Sequence, residues 1–166
     1  MVVKQSATLD TSFWINAHRA GLAPFVVQRF DLYVSREVAG ELSRAYEAGR
    51  DFWNLMSEGK IAQADPAPEL IRLFGRGERS AMNLALEHLD WVLLMDDRRP
   101  YEEASKRGLK AVCSPVLVVQ LFRESVLSLV EAHRFLAELE YFDTVSPSLI
   151  SLARVQMQGI RRQREN

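Results

Sequence analysis

The sequence lacks several features, and each absence removes a class of answer. It holds one cysteine, Cys113, in 166 residues, so no intrachain disulfide can form and a reducing, cytoplasmic setting is expected. No apolar run approaches the ~20 residues of a membrane-spanning helix, so no membrane partner is expected. The opening Met-Val-Val-Lys-Gln-Ser has neither the basic stretch nor the apolar core of a signal peptide. Neither sign of charge is in excess: 21 Lys and Arg against 22 Asp and Glu leave a net −1, so any nucleic-acid footprint must be local. His18, His88 and His133 are scattered and none lies near Cys113 in sequence, so no activated nucleophile can be read. No repeat, low-complexity block or linker divides the chain. The reading is one domain over residues 1–160 with a basic C-terminal tail, 161–166, carrying Arg161, Arg162 and Arg164.

What is present is an alternation of short apolar runs with amphipathic stretches. Ser6–Asp10, Leu32–Val34, Ile61–Ala64, Trp91–Met95 and Leu109–Cys113 read as strands. Between them the spacing predicts helices over 11–19, 24–29, 36–48, 51–58, 69–74, 77–89 and 100–107, and after them over 115–124, 128–140 and from Ser146-Pro147 onward. Strands alternating with helices and without hairpin signals predict an α/β fold with a central, mainly parallel sheet flanked by helices. Right-handed crossovers then place the strand C-termini on one edge, where ligands collect in such sheets.

That edge receives carboxylates. Asp10 ends the first strand, Asp96 and Asp97 end the apolar run Trp91–Met95, and Glu78 opens the apolar helix that precedes it. In the helix 36–48 a rotation of about 100° per residue puts Glu41 at the margin of the Val38–Leu42–Ala45 stripe, with Glu37 turned further into water. Each acid also has a plain reading: Asp10 as a helix cap, Glu78 as a complement to the helix dipole, Glu41 as a solvated side chain, Asp96-Asp97 as a turn. Together they would repel one another unless a cation neutralised them. An all-oxygen set suits Mg²⁺ or Mn²⁺ rather than zinc, and such a metal could activate water against a phosphodiester. Arg76, Arg79, Arg98 and Arg99 flank the acids and could hold RNA phosphates or form an ordinary solvated face. Phe13, Trp14 and Phe25 read as core. Leu136, Leu139, Phe142 and Leu149 read as packing or as a homodimer face.

On these residues the chain resembles the PIN-domain nucleases, and within them the group similar to bacterial toxin–antitoxin ribonucleases. The likeness rests on Leu9-Asp10-Thr11-Ser12, Glu41-Leu42, Gly77-Glu78-x-x-Ala81 and Leu93-Leu94-Met95-Asp96-Asp97-Arg98, followed by Ala104 and Gly108-Leu109. It implies a three-layer PIN-like fold and an endoribonuclease that hydrolyses RNA with metal-activated water. The implied site is Asp10, Glu41, Glu78 and Asp96, with Mg²⁺ or Mn²⁺ held by these and Asp97, and with Ser12 supporting. An antitoxin protein is the partner such a toxin would have. Two departures stand out. Ser80 takes the place where relatives often carry a second acid after Gly-Glu, and Cys113-Ser114-Pro115 replaces the usual Gly-Thr. Ser80 keeps open the alternative of a catalytically inactive PIN-like domain that binds RNA or protein. A dehalogenase-type phosphatase would want an acid at Ser12, and a receiver domain a lysine at Ser114.

Overall fold

The computed structural model describes residues 3–166; Met1 and Val2, which the sequence reading places in the domain, lie outside them. Five strands form one all-parallel sheet: β1 (Gln5–Leu9), β2 (Phe30–Val34), β3 (Ile61–Gln63), β4 (Val92–Leu94) and β5 (Lys110–Val112), in the order β3-β2-β1-β4-β5. Helices cover both faces, as a parallel sheet requires. Side chains alternate along the strands, and the two cores follow that alternation. Ala7, Leu9, Val92 and Leu94 enter a large core, and Leu93 and Met95 enter a smaller one.

The smaller core packs under α5 (Arg76–Glu87) and α6 (Arg98–Lys106). The larger is built with α1 (Thr11–Ala20), α2 (Ala23–Arg29), α3 (Arg36–Glu41), α4 (Glu47–Ser57), α7 (Ser114–Arg123), α8 (Leu129–Tyr141) and α9 (Pro147–Glu165). Phe13 and Trp14 are fully buried in it, and Trp14 donates its indole N–H to Ala48 O at 2.8 Å. Leu136 and Leu139 pack inside the same core, whereas Phe142 lies partly exposed. Arg161–Glu165 continue α9, where Arg164 donates to the carbonyls of Phe122 and Arg123 at 2.9 Å. No helix among the described residues is long and apolar enough to cross a membrane.

Two expected helices need correction. The single helix expected over 36–48 is broken: α3 stops at Glu41 and α4 starts at Glu47. Tertiary bonds replace the helical ones across the break. Trp53 donates its indole N–H to Leu42 O at 2.8 Å, Arg50 donates to Ala45 O at 3.0 Å, and Ser43 Oγ accepts from Ala45 N. Gly49 then packs so closely on the backbone of Ser43 that a Cβ there would overlap it, and Ala45, expected in the stripe, is exposed.

The helix expected over 69–74 does not form. Pro66 and Pro68 precede a strap that lies along α5, its peptide groups served by side chains instead of by a helical ladder. Asn83 accepts from the N–H groups of Leu70 and Ile71 and donates to Ile71 O, at 2.8–3.0 Å. Glu87 accepts from Ala67 N at 2.7 Å. Asn83→Ala should therefore strand three strap peptide groups beside the buried Ile71 and destabilise the protein by about 2–4 kcal/mol. Urea unfolding would read this as a lower midpoint.

Candidate metal centre

Parallel pairing carries the acids to one edge. Asp10 N donates to Leu94 O at 3.1 Å, extending the β1–β4 ladder one residue past β1, and Met95 N does the same to Val112 O at 3.0 Å. Asp10 then caps α1, its Oδ1 accepting from Phe13 N at 2.9 Å. Its Oδ2 is buried and has no hydrogen-bond partner. Thr8 Oγ1, two residues earlier on the same strand, is in the same condition.

Glu78 is the third residue of α5 and accepts from Gly75 N at 3.0 Å, closing the start of that helix. Asp97 accepts from Ser12 Oγ at 3.2 Å. One carboxylate oxygen from each of Asp10, Glu78 and Asp97 lies within 4.8 Å of the others.

Asp96 and Glu41 stand in different positions. Asp96 is fully buried and surrounded by donors: Ser114 N at 2.6 Å on Oδ1, with Ser114 Oγ and Asn16 Nδ2 (2.8 Å) on Oδ2. Asn16 is held in turn by Thr144 Oγ1 at 2.6 Å. Glu41 ties two helix starts together, accepting from Gly77 N at 3.0 Å and from Thr11 Oγ1 at 2.6 Å. A Cβ at Gly77 would sit less than 3 Å from the Glu41 carboxylate, so any larger residue there would displace that side chain.

Ser80 is turned away from the acids, bonded to Ser35 Oγ at 2.6 Å and donating to Gly77 O at 2.8 Å. Of the flanking arginines, Arg79 pairs with Glu69 at 3.1 Å and Arg98 with Glu102 at 2.8 Å. Arg76 and Arg99 are exposed and have no ion-pair partner among the described residues.

Sequence reasoning passed over Asn16 and took Ser114, within Cys113-Ser114-Pro115, as a departure from the usual Gly-Thr. Asn16 did leave a signal, being polar on the buried face that Phe13, Ala17 and Ala20 define in α1.

Electrostatics separates the acids further. Burial pushes the Asp10 carboxyl well above the usual carboxylate range, helped by the charges of Asp96, Asp97 and Glu78 and opposed by the bond from Phe13 N. Burial also raises Asp96, to about 6, because the bonds from Ser114 and Asn16 offset only part of the cost of burying its charge. Glu78 is raised by burial and by a hydrogen bond and charge repulsion from Asp97.

The donor set fits a hard divalent cation. It is all oxygen, it is crowded with like charge, and it contains a buried carboxylate oxygen with nothing to bind. A second group, His18, Glu47 and Asp51, also converges within 4.8 Å, but there His18 Nε2 and Asp51 already pair at 2.7 Å. A cavity of about 890 Å³ between α1, α2 and α4 includes His18 and Asp51 and none of the three convergent acids.

An all-parallel sheet with clustered carboxylates at its C-terminal edge defines the class as an α/β protein with a compatible metal site. A family model described as a PIN domain matches residues 7–156, and the chain belongs to that family. PIN domains are typically metal-dependent nucleases acting on RNA. No curated protein matches the chain.

The raised carboxylates have a stability consequence whose sign is fixed. An acid with a folded pKa above its unfolded value adds stability at low pH, and that stability is lost as pH rises through the folded value. For Asp96 the window runs from about pH 4 to about 7, and the loss is about 3 kcal/mol. Metal-free melts should therefore fall in Tm across that window, and Asp96→Asn should flatten the profile.

Proposed function

We propose that the protein is a metal-dependent endoribonuclease that hydrolyses RNA phosphodiesters, with Mg²⁺ or Mn²⁺ held by Asp10, Glu78 and Asp97. One observation carries this reading: an Asp10 carboxylate oxygen lies within 4.8 Å of one oxygen each of Glu78 and Asp97, and Asp10 Oδ2 is buried without a partner among the described residues. A carboxylate oxygen left bare in the interior is costly unless a cation meets it. Bound there, the cation would supply the positive charge that makes a water acidic near neutral pH and offsets charge on the phosphodiester.

The chain's own residues do the rest. Asp10 is fixed by its capping bond, Asp97 by Ser12 and Glu78 by the start of α5. Asp96 adds negative charge beneath the cluster and ties α1 to α7 through Asn16 and Ser114. Glu41 sets the distance between the starts of α1 and α5, and so between Asp10 and Glu78. Arg76 and Arg99, unpaired and exposed, are the side chains available to hold flanking phosphates. The resemblance to toxin ribonucleases supports a role as the toxin of a toxin–antitoxin pair, with an antitoxin protein as partner in the cytoplasm.

The alternative, an inactive binding module, draws on Ser80 in place of an acid. Ser80 is bound into the contact between α3 and α5, and the three-acid cluster is complete without it.

Calorimetry with Mn²⁺ followed by RNA cleavage tests the reading. Wild type should bind Mn²⁺ and cut RNA. Asp10→Asn with Asp97→Asn should abolish heat of binding and lower cleavage by about 10³-fold or more, the scale expected when the charge stabilising a transition state is removed. A wild type that takes up no Mn²⁺ near neutral pH would leave the binding-module reading in place. Gly77→Ala offers a separate check: it should displace Glu41 and lower both Tm and Mn²⁺ affinity.

A further inference from the structure

We infer that the cavity beside Glu41 is a nucleobase subsite that favours guanine in the RNA strand next to the cleaved bond. This inference rests on the ribonuclease reading. The cavity measures about 650 Å³ and lies between α1, the turn joining α3 to α4, and the α8–α9 connection, with Ile15, Arg19, Glu41, Tyr46, Glu47 and Phe142 among its walls. That volume exceeds what a single base needs.

Continuity with the acid site comes from Glu41, whose carboxylate bonds Thr11 and Gly77, the immediate neighbours of Asp10 and Glu78. A strand whose phosphate lies at the acids therefore has the cavity at its side.

The walls carry the chemistry of base recognition. Tyr46 is 73% exposed, and its ring stacks on no other ring among the described residues. Phe142 is partly exposed, with the Arg19 guanidinium 5.8 Å from its ring centre. Planar rings and a guanidinium are the surfaces on which unpaired bases stack, whatever their sequence.

Glu47 supplies discrimination. His18 is taken up by Asp51 at 2.7 Å, which leaves the Glu47 carboxylate without a hydrogen-bond partner among the described residues. A carboxylate only accepts. Guanine offers two adjacent donors on its Watson–Crick edge, N1–H and N2–H, which a carboxylate can take together. Adenine offers one amino group between two acceptors, cytosine one amino group beside a single acceptor, and uracil one N–H between two carbonyls.

Anisotropy of fluorescein-labelled RNA hexamers on the full chain in EDTA tests this, because cleavage cannot run and no cation can occupy His18, Glu47 and Asp51. UUGUUU should bind about tenfold tighter than UUUUUU. Glu47→Gln should bring the two together. Tyr46→Ala should weaken both by about 5- to 150-fold, the range of one lost base–aromatic stack, and Tyr46→Phe should restore them.

Equal binding of the two hexamers by wild type, no measurable binding of either, unchanged discrimination in Glu47→Gln, or unchanged affinity in Tyr46→Ala would overturn the proposal. Both side chains are exposed, and melting curves would confirm that the variants fold. Mn²⁺-dependent cleavage of a longer RNA separates the two readings. Cutting without hexamer discrimination removes the subsite and leaves the nuclease. Discrimination that Glu47→Gln loses and affinity that Tyr46→Ala loses, without any cutting, remove the nuclease and leave the subsite.

Discussion

Everything at the functional edge depends on the cost of placing carboxylates out of water beside one another. Asp10 and Asp96 are each about 1% exposed, and Glu78 and Asp97 stand next to them. A buried carboxylate without compensation would take up a proton or unfold its surroundings. The fold answers this cost differently at each acid, and those differences assign the roles. Asp96 receives three donors and becomes a fixed internal charge. Asp10 receives one, on one oxygen, and its other oxygen is buried without a partner among the described residues.

The helix starts are arranged around the same constraint. Three chain entries into helices meet at the edge: α1 capped by Asp10, α5 closed by Glu78, and α7 beginning at Ser114 beneath Asp96. Backbone N–H groups at these starts bring partial positive charge toward the acids. Glu41 then holds α1 and α5 at a set separation through Thr11 and Gly77. Gly77 makes room for the Glu41 carboxylate, which fills the space a side chain would take. The Gly-Glu pair in the sequence is therefore one feature with two reasons, the glycine for Glu41 and the glutamate for the acid cluster.

Much of this was legible in the sequence, and the exceptions have physical causes. The five strands and their acidic ends could be read because buried parallel strands are short, continuous apolar runs bounded by caps and turns. The break between α3 and α4 could not, since Val38, Leu42 and Ala45 keep helical spacing through it. What breaks the helix is tertiary: Trp53 and Arg50 bond the freed carbonyls, and Gly49 packs on Ser43. The stretch 69–74, expected as a helix, was misread for a similar reason. Its apolar residues suit a helix, but Asn83, far along the chain, satisfies its peptide groups in an extended form.

The separate roles of Asp96 and Asp97 follow from strand parity. Val92 and Leu94 face the large core, and Leu93 and Met95 the smaller one. Continued past the strand end, that alternation sends Asp96 toward α1 and α7, where Asn16 and Ser114 meet it. Asp97 takes the parity of Met95, toward α5, and joins Glu78. A period of two thus turns one pair of adjacent acids into an internal strut and an outward-facing donor. Neither position offers the other's partners: the Asp97 side has one hydroxyl, Ser12, where Asp96 has three donors. A lone acid at this strand end could hold the charge or present it. Two in succession let the sheet do both.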